Sequence, residues 1–100
     1  MKTHDIIYIT DIVQGTTTNA DGVPLFLYLQ KKLNQKHQVV LSFKDSTPLS
    51  SSFLNTAIGN LVDDFGLAYV KAHLKIVQCS KPVLNTLKRY FDGLAKMQGL

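Results

Sequence analysis

Val39-Val-Leu-Ser-Phe43, followed by Asp45-Ser-Thr-Pro-Leu-Ser-Ser-Ser-Phe-Leu-Asn-Thr-Ala-Ile-Gly-Asn-Leu-Val-Asp-Asp-Phe-Gly66, decides how this chain is read. Residues 38–44 are nearly continuously apolar, the pattern of a central strand covered on both faces. The second stretch is a hydroxyl-rich loop that opens an amphipathic helix. Phe53, Leu54, Ala57, Ile58, Leu61, Val62 and Phe65 recur at helical spacing and form its core face. This helix is expected to begin near residues 50–52 and to stop at Asp64 or Phe65, with Gly66 in the left-handed cap conformation.

On the N-terminal side, Ile6-Ile-Tyr-Ile-Thr-Asp-Ile-Val13 is rich in β-branched residues and reads as a strand that ends before Gly15. Gly15-Thr-Thr-Thr-Asn-Ala-Asp-Gly22 then leads into a helix over residues 22–34. Asp21 serves its start, Pro24 sits in its first turn, and Leu25, Phe26, Leu29 and Leu33 form its apolar face. On the C-terminal side residues 67–72 carry no firm assignment, and Leu74-Lys-Ile-Val-Gln-Cys79 reads as another strand. Ser80 and Pro82 open a last helix with Leu84, Leu87, Phe91 and Leu94 as its stripe. Strands and helices that alternate in this way predict an α/β fold built of right-handed βαβ units. The expected sheet is small, mostly parallel and of three to four strands, flanked by helices. At 100 residues, 45% of them hydrophobic, the chain 1–100 suits one domain with one core.

Several function classes fall away on composition. No apolar run reaches the ~20 residues that cross a bilayer. Met1-Lys-Thr-His-Asp5 runs into the first strand without the apolar segment and cleavage site of a secretory leader, so a cytoplasmic protein is expected. The net charge of +4 comes from scattered lysines and serves solubility. Lys31, Lys32, Lys88 and Arg89 are where weak nucleic-acid binding would act, but no basic run with interleaved aromatics supports it. Cys79 stands alone at the end of an apolar run, the usual setting of an inert thiol. His4, His37 and His73 are far apart with no ligand-spaced partners, so no metal is expected. No phosphate-cradling Gly-Lys-Ser/Thr loop is present, and none of the strained serine elbows of hydrolases. Asp63 and Asp64 are adjacent and point to different sides of a helix, which does not suit paired acid and base work. No cofactor and no enzymatic activity are expected.

In a parallel sheet the loops that follow strands emerge together at the carboxyl edge, where ligands and partners bind. Two such loops here are rich in hydroxyls: Thr16, Thr17, Thr18 and Asn19 in the first, and Ser50, Ser51 and Ser52 in the second. Both enter helix starts, which favour an anion or a phosphoserine by ~0.3–1 kcal/mol when exposed. Helix capping is the plain alternative for each hydroxyl. At 100° per residue from Phe53, Ser52, Asn55, Thr56, Gly59 and Asp63 fall together on the face opposite the core. Glycine there costs about 1 kcal/mol relative to alanine. Gly59 therefore implies either a partner's close approach or a neighbouring helix of the same chain.

Residues 6–91, and most strongly 39–66, resemble the STAS-like domains, small stand-alone relatives of the sulphate-transporter and anti-sigma-factor-antagonist module. In well-known antagonists an Asp-Ser-Ser-Gly motif opens the corresponding helix, and its second serine is phosphorylated by a partner anti-sigma kinase. Ser50-Ser51-Ser52-Phe53 occupies that place. Ser52 matches the phosphoserine and Ser51 the serine before it, while Ser50 replaces the aspartate and Phe53 the glycine. The resemblance implies a protein-binding switch whose partner is a histidine-kinase-like ATPase, acting as a monomer or homodimer. It makes Ser52 and Ser51 the phosphorylation candidates and Ser50, Ser51, Ser52, Asn55, Thr56, Gly59 and Asp63 the docking surface. A domain that binds a small anion, nucleotide or phosphate through Thr16, Thr17, Thr18 and Asn19 is the alternative.

Overall fold

The computed structural model describes residues 6–97; His4 and the rest of Met1-Lys-Thr-His-Asp5 lie outside them. Three parallel strands, β1 (Ile6–Tyr8), β2 (Val39–Ser42) and β3 (Leu74–Val77), form one sheet in the order β1-β2-β3. Ile6 to Tyr8 pair with Val40 to Ser42, and Val39 to Ser42 pair with Leu74 to Val77. The 39–43 run thus supplies the central strand. Two successive crossovers in the same direction, each right-handed, place both sets of connecting helices on one side of the sheet. Val39, Leu41 and Phe43 are buried on that side. Alternate positions face the other way: Ile6, Tyr8 and Lys75 are exposed, Val40 and Val77 are half-buried, and Ser42 alone is buried there, its hydroxyl donating to Gln78 Oε1. The expectation of equal cover on both faces is therefore met on one, because the topology adds strands in a single direction.

The first strand is shorter than its β-branched run. It ends at Tyr8, the last residue with a partner on β2, and Ile9–Ile12 (α1) turns into one helical turn closed by Val13 N–H on Ile9 O at 3.0 Å. Once the ladder runs out, burying Ile9 completely in the core decides the backbone.

α2 (Asn19–Asn34) begins three residues before the expected start because Thr18, not Asp21, is its N-cap. Pro24 consequently lies in the second turn, where it leaves the Ala20 carbonyl without its helical donor. Leu25, Leu29 and Leu33 are buried and Phe26 is half-buried, as the spacing predicts. The helix ends with Lys36 N–H on Leu33 O and His37 N–H on Lys32 O, which puts Lys36 at φ 61°, a left-handed position usually given to glycine.

Residues 51–65 form one helical run: α3 (Ser51–Leu54), a π-helical segment (Asn55–Gly59) and α4 (Asn60–Phe65). Its core face is the expected one, from Phe53 at 0% exposure to Val62 at 3%, with Phe65 half-buried. Gly66 does not adopt the left-handed cap. At φ 89° and ψ 149° it donates to Val62 O and accepts from Val70 N, ending one helix and starting α5 (Leu67–His73) within a single residue. That φ/ψ region is nearly exclusive to glycine. α6 (Lys81–Met97) opens with Ser80 Oγ accepting from Val83 N–H at 3.4 Å. Val83 and Leu87 are its buried anchors and Phe91 and Leu94 are half-buried, while Leu84 turns outward at 39% exposure. No described helix is long and apolar enough to cross a membrane.

Candidate functional site

The loops that follow β1 and β2 converge, as neighbouring parallel strands require. Thr16 is 4% exposed, and its hydroxyl donates to Pro48 O at 2.9 Å while Thr47 Oγ1 bonds it from the other side. Ser50 N–H donates to Thr16 O at 3.0 Å, and Ser50 Oγ donates to Thr17 O at 2.9 Å. The same oxygen accepts from Phe53 N–H at 3.1 Å and caps α3. Ser50 is thus a cap and a cross-link between loops.

Thr17, Thr18 and Asp21 form a second closed unit. Thr18 Oγ1 accepts from Asp21 N–H at 3.1 Å, and Asp21 Oδ2 accepts from both Thr17 N–H and Thr18 N–H at 3.3 Å. The Asp21 carboxylate thus occupies the N–H groups of Thr17 and Thr18 just ahead of α2. Asn19 is exposed in the first turn. The hydroxyls of Thr16 and Thr18 are therefore engaged in building the loop, whereas Thr17 is exposed and its hydroxyl has no partner among the described residues.

Ser51 and Ser52 differ from Ser50. Both are exposed, in the first turn of the run, and neither hydroxyl has a partner among the described residues. Phe53 is completely buried, so its side chain points into the core and leaves the two serines uncovered.

Farther along the run the outward ridge is partly occupied. Asn55 and Asp63 are exposed, but Thr56 and Gly59 are half-buried. Thr56 packs toward α2: a Cβ on Gly22 would stand 3.0 Å from Thr56 Cβ and 2.8 Å from Phe53 O. Gly59 lies under Tyr90 of α6, whose Oη would be 2.8 Å from a Cβ there. The neighbouring helix of the same chain, and no external backbone, accounts for Gly59. Close approach of main chain to main chain occurs instead at Gly22. Tyr90 Oη donates to Leu54 O at 3.2 Å and lies 3.0 Å from Asn55 Oδ1; Asn60 Nδ2 donates to Thr56 O at 3.1 Å. In the π segment Asn60 N–H reaches back five residues to Asn55 O. Such widened turns misalign carbonyls, and these two side chains satisfy them. Burial, then the charge of Asp63, pushes the Tyr90 phenol above its ordinary value.

Residues 21–84 match the model of a STAS-like domain of unknown function (DUF4325). The chain belongs to this family. No curated protein and no solved structure matches it. The match spans α2 from Asp21 onward, β2, the serine loop, the whole 51–65 run and β3, so the start of the 51–65 run falls inside the family's boundaries and the start of α2 does not. β1, the loop that carries Thr16, and most of α6, which carries Tyr90, lie beyond them.

The remaining chemistry-bearing side chains are dispersed. Cys79 is half-buried, and burial pushes its thiol up, away from the reactive thiolate. His73 stacks on Tyr69 at 4.0 Å, and its Nδ1 is 2.9 Å from Tyr69 O. Among the described residues no group of three His, Cys, Asp or Glu side chains could hold a metal ion. Lys31 and Lys32 lie on α2 and Lys88 and Arg89 on α6, with Lys32 over the Tyr28 ring at 5.6 Å. Sequence reasoning missed Tyr90, Thr47 and the packing role of Gly22. Tyr90 stands seven residues after Val83, a helical-stripe signal that was legible, whereas the other two needed the loops and helices in place.

Proposed function

We propose that this chain is a non-enzymatic cytoplasmic regulatory domain that docks a protein partner on the exposed first turn of the 51–65 run, under control of phosphorylation at Ser52 or Ser51. The observation that carries the reading is the contrast within the triple serine. Ser50 is locked as a cap and cross-link, while Ser51 and Ser52 stand free on a helix start that two loop-to-loop bonds hold in place. A rigid support with free hydroxyls presents a flat, small-residue surface to a partner and a phosphorylatable group to a kinase. The docking area comprises Ser51, Ser52, Asn55 and Asp63, with Ser50, Thr56 and Gly59 supporting it from beneath. A phosphate adds about −1.5 to −2 charge at that surface, which desolvates poorly in any flat contact.

The partner of choice is a histidine-kinase-like ATPase encoded beside this chain. The test is a titration of that ATPase with the wild-type chain and with Ser52→Glu, Asp63→Lys and Thr18→Ala variants, followed by incubation with ATP and mapping of any phosphate by mass spectrometry. Ser52→Glu and Asp63→Lys are expected to weaken binding at least tenfold while Thr18→Ala leaves it unchanged. Unaltered affinity in both surface variants would remove this face from the reading, and phosphate found only outside Ser51 and Ser52 would remove the switch.

A further inference from the structure

A groove of about 310 Å3 runs between α5, β3 and α6 and shares no residue with the serine-bearing face. Leu84, Ile76 and Phe91 line it with accessible apolar surface, Leu84 being 39% exposed. Lys71 on α5 and Lys88 on α6 line it as well, with Asp92 one turn beyond Lys88. None of these three charged groups has an ion pair or hydrogen bond among the described residues. The groove therefore combines an apolar floor with two unneutralised cations and one carboxylate, leaving a net charge of +1.

Size and charge decide between occupants. A protein segment needs a far wider footprint than this groove, ~20–30 residues a side in a standard interface. The volume instead sits at the lower end of the ~300–1,000 Å3 range of small-molecule sites, room for a chain of roughly ten carbons. A net charge of +1 complements a single negative charge, and Asp92 disfavours a doubly charged head group such as a phosphate monoester. We propose that this groove binds a small amphipathic carboxylate, its aliphatic body laid along Leu84, Ile76 and Phe91 and its carboxylate held between Lys71 and Lys88. This inference does not depend on the protein-docking reading of the serine face.

The test is a titration of the full chain with decanoate below its micelle range, followed by methyl and amide NMR shifts, with hexanoate, octanoate, decanol and decyltrimethylammonium alongside. Saturable shifts are expected at Leu84, Ile76 and Phe91, with affinity rising about two- to fourfold per methylene until the groove is full. Lys71→Gln and Lys88→Gln should each weaken decanoate about two- to fivefold, and Asp92→Asn should tighten it by a similar factor, because the pairs are partly solvent-exposed. Leu84→Trp, which fills the groove, should abolish binding. If that variant does not fold, the lysine variants and the head-group series decide alone. Decanol binding as tightly as decanoate, indifference to both lysine substitutions, or no saturable shift at millimolar decanoate would each overturn the proposal.

Discussion

Replacing Gly22 by alanine tests the packing that positions the serine face. Intrinsic helix propensity favours alanine by up to ~1 kcal/mol, so a helix read in isolation predicts a gain. The structure predicts the reverse. An added Cβ would lie 2.8 Å from Phe53 O, 3.0 Å from Thr56 Cβ and 3.2 Å from Ala57 N, all below the ~3.5–4.0 Å of comfortable carbon contacts. Two of those atoms are main chain of the 51–65 run, so no side-chain rotation relieves them and α2 must move away from that run. Overpacking of this kind costs ~1–3 kcal/mol, and the backbone partners place Gly22→Ala in the upper part of that range. The net loss is about 2 kcal/mol, or roughly 8–16 °C in Tm for a domain of this size. Gly59→Ala is the internal control, since its added Cβ meets only the far end of Tyr90, 2.8 Å away. Urea and thermal unfolding of both variants measure the difference, and hydrogen exchange at Phe53 and Leu54 reports whether the start of the run loosens. A Gly22→Ala protein more stable than wild type would refute the close approach and the account of the site's support.

Two further outcomes follow from particular backbone and side-chain positions. Lys36→Gly should stabilise the chain by about 0.5–1 kcal/mol, because Lys36 holds φ 61° at the end of α2 and a non-glycine residue there is strained; a lower Tm by calorimetry would contradict that geometry. Tyr90→Phe should cost about 0.5–1.5 kcal/mol near neutral pH through the lost hydroxyl contact to Leu54 O. Because the folded phenol is pushed above its ordinary ~10 by burial and Asp63, the unfolded chain gives up that proton first. The Tyr90 contribution is therefore complete below that ordinary value and fades as pH climbs from there toward the folded one. Urea midpoints of wild type and Tyr90→Phe should converge over that climb, and a gap independent of pH would sink the assignment.

The element order was legible in the sequence because it rests on local rules. The nearly continuous apolar run at 39–43, rich in β-branched residues, has the pattern of a central strand, and the spacing from Phe53 to Phe65 that of a buried helical face. Where the reading slipped, a competing local signal or a distant partner was responsible. Ile9 to Val13 has strand-forming residues but no ladder partner on β2, so it turns into α1. Asp21 has the chemistry of a cap, but Thr18 takes that place and Asp21 completes the capping box from three residues inside. Within the candidate site, the sequence singled out the triple serine but could not separate its members. Their separation depends on Thr16 and Thr17, more than thirty residues away, whose carbonyls engage Ser50 and leave the next two serines free.

Residue pattern along the chain was enough for the α/β alternation, for the core faces of the helices and for the burial of Phe53. These follow from periodicity and from residue types in fixed positions, which act over one or two turns. Only the tertiary structure decided that helices cover one face of the sheet, that Gly22 and not Gly59 admits another backbone, that Tyr90 caps a widened turn, and that an apolar groove with two free lysines opens beside α6. Each of these depends on which elements become neighbours, and a pattern read along one segment carries no information about the segment packed against it.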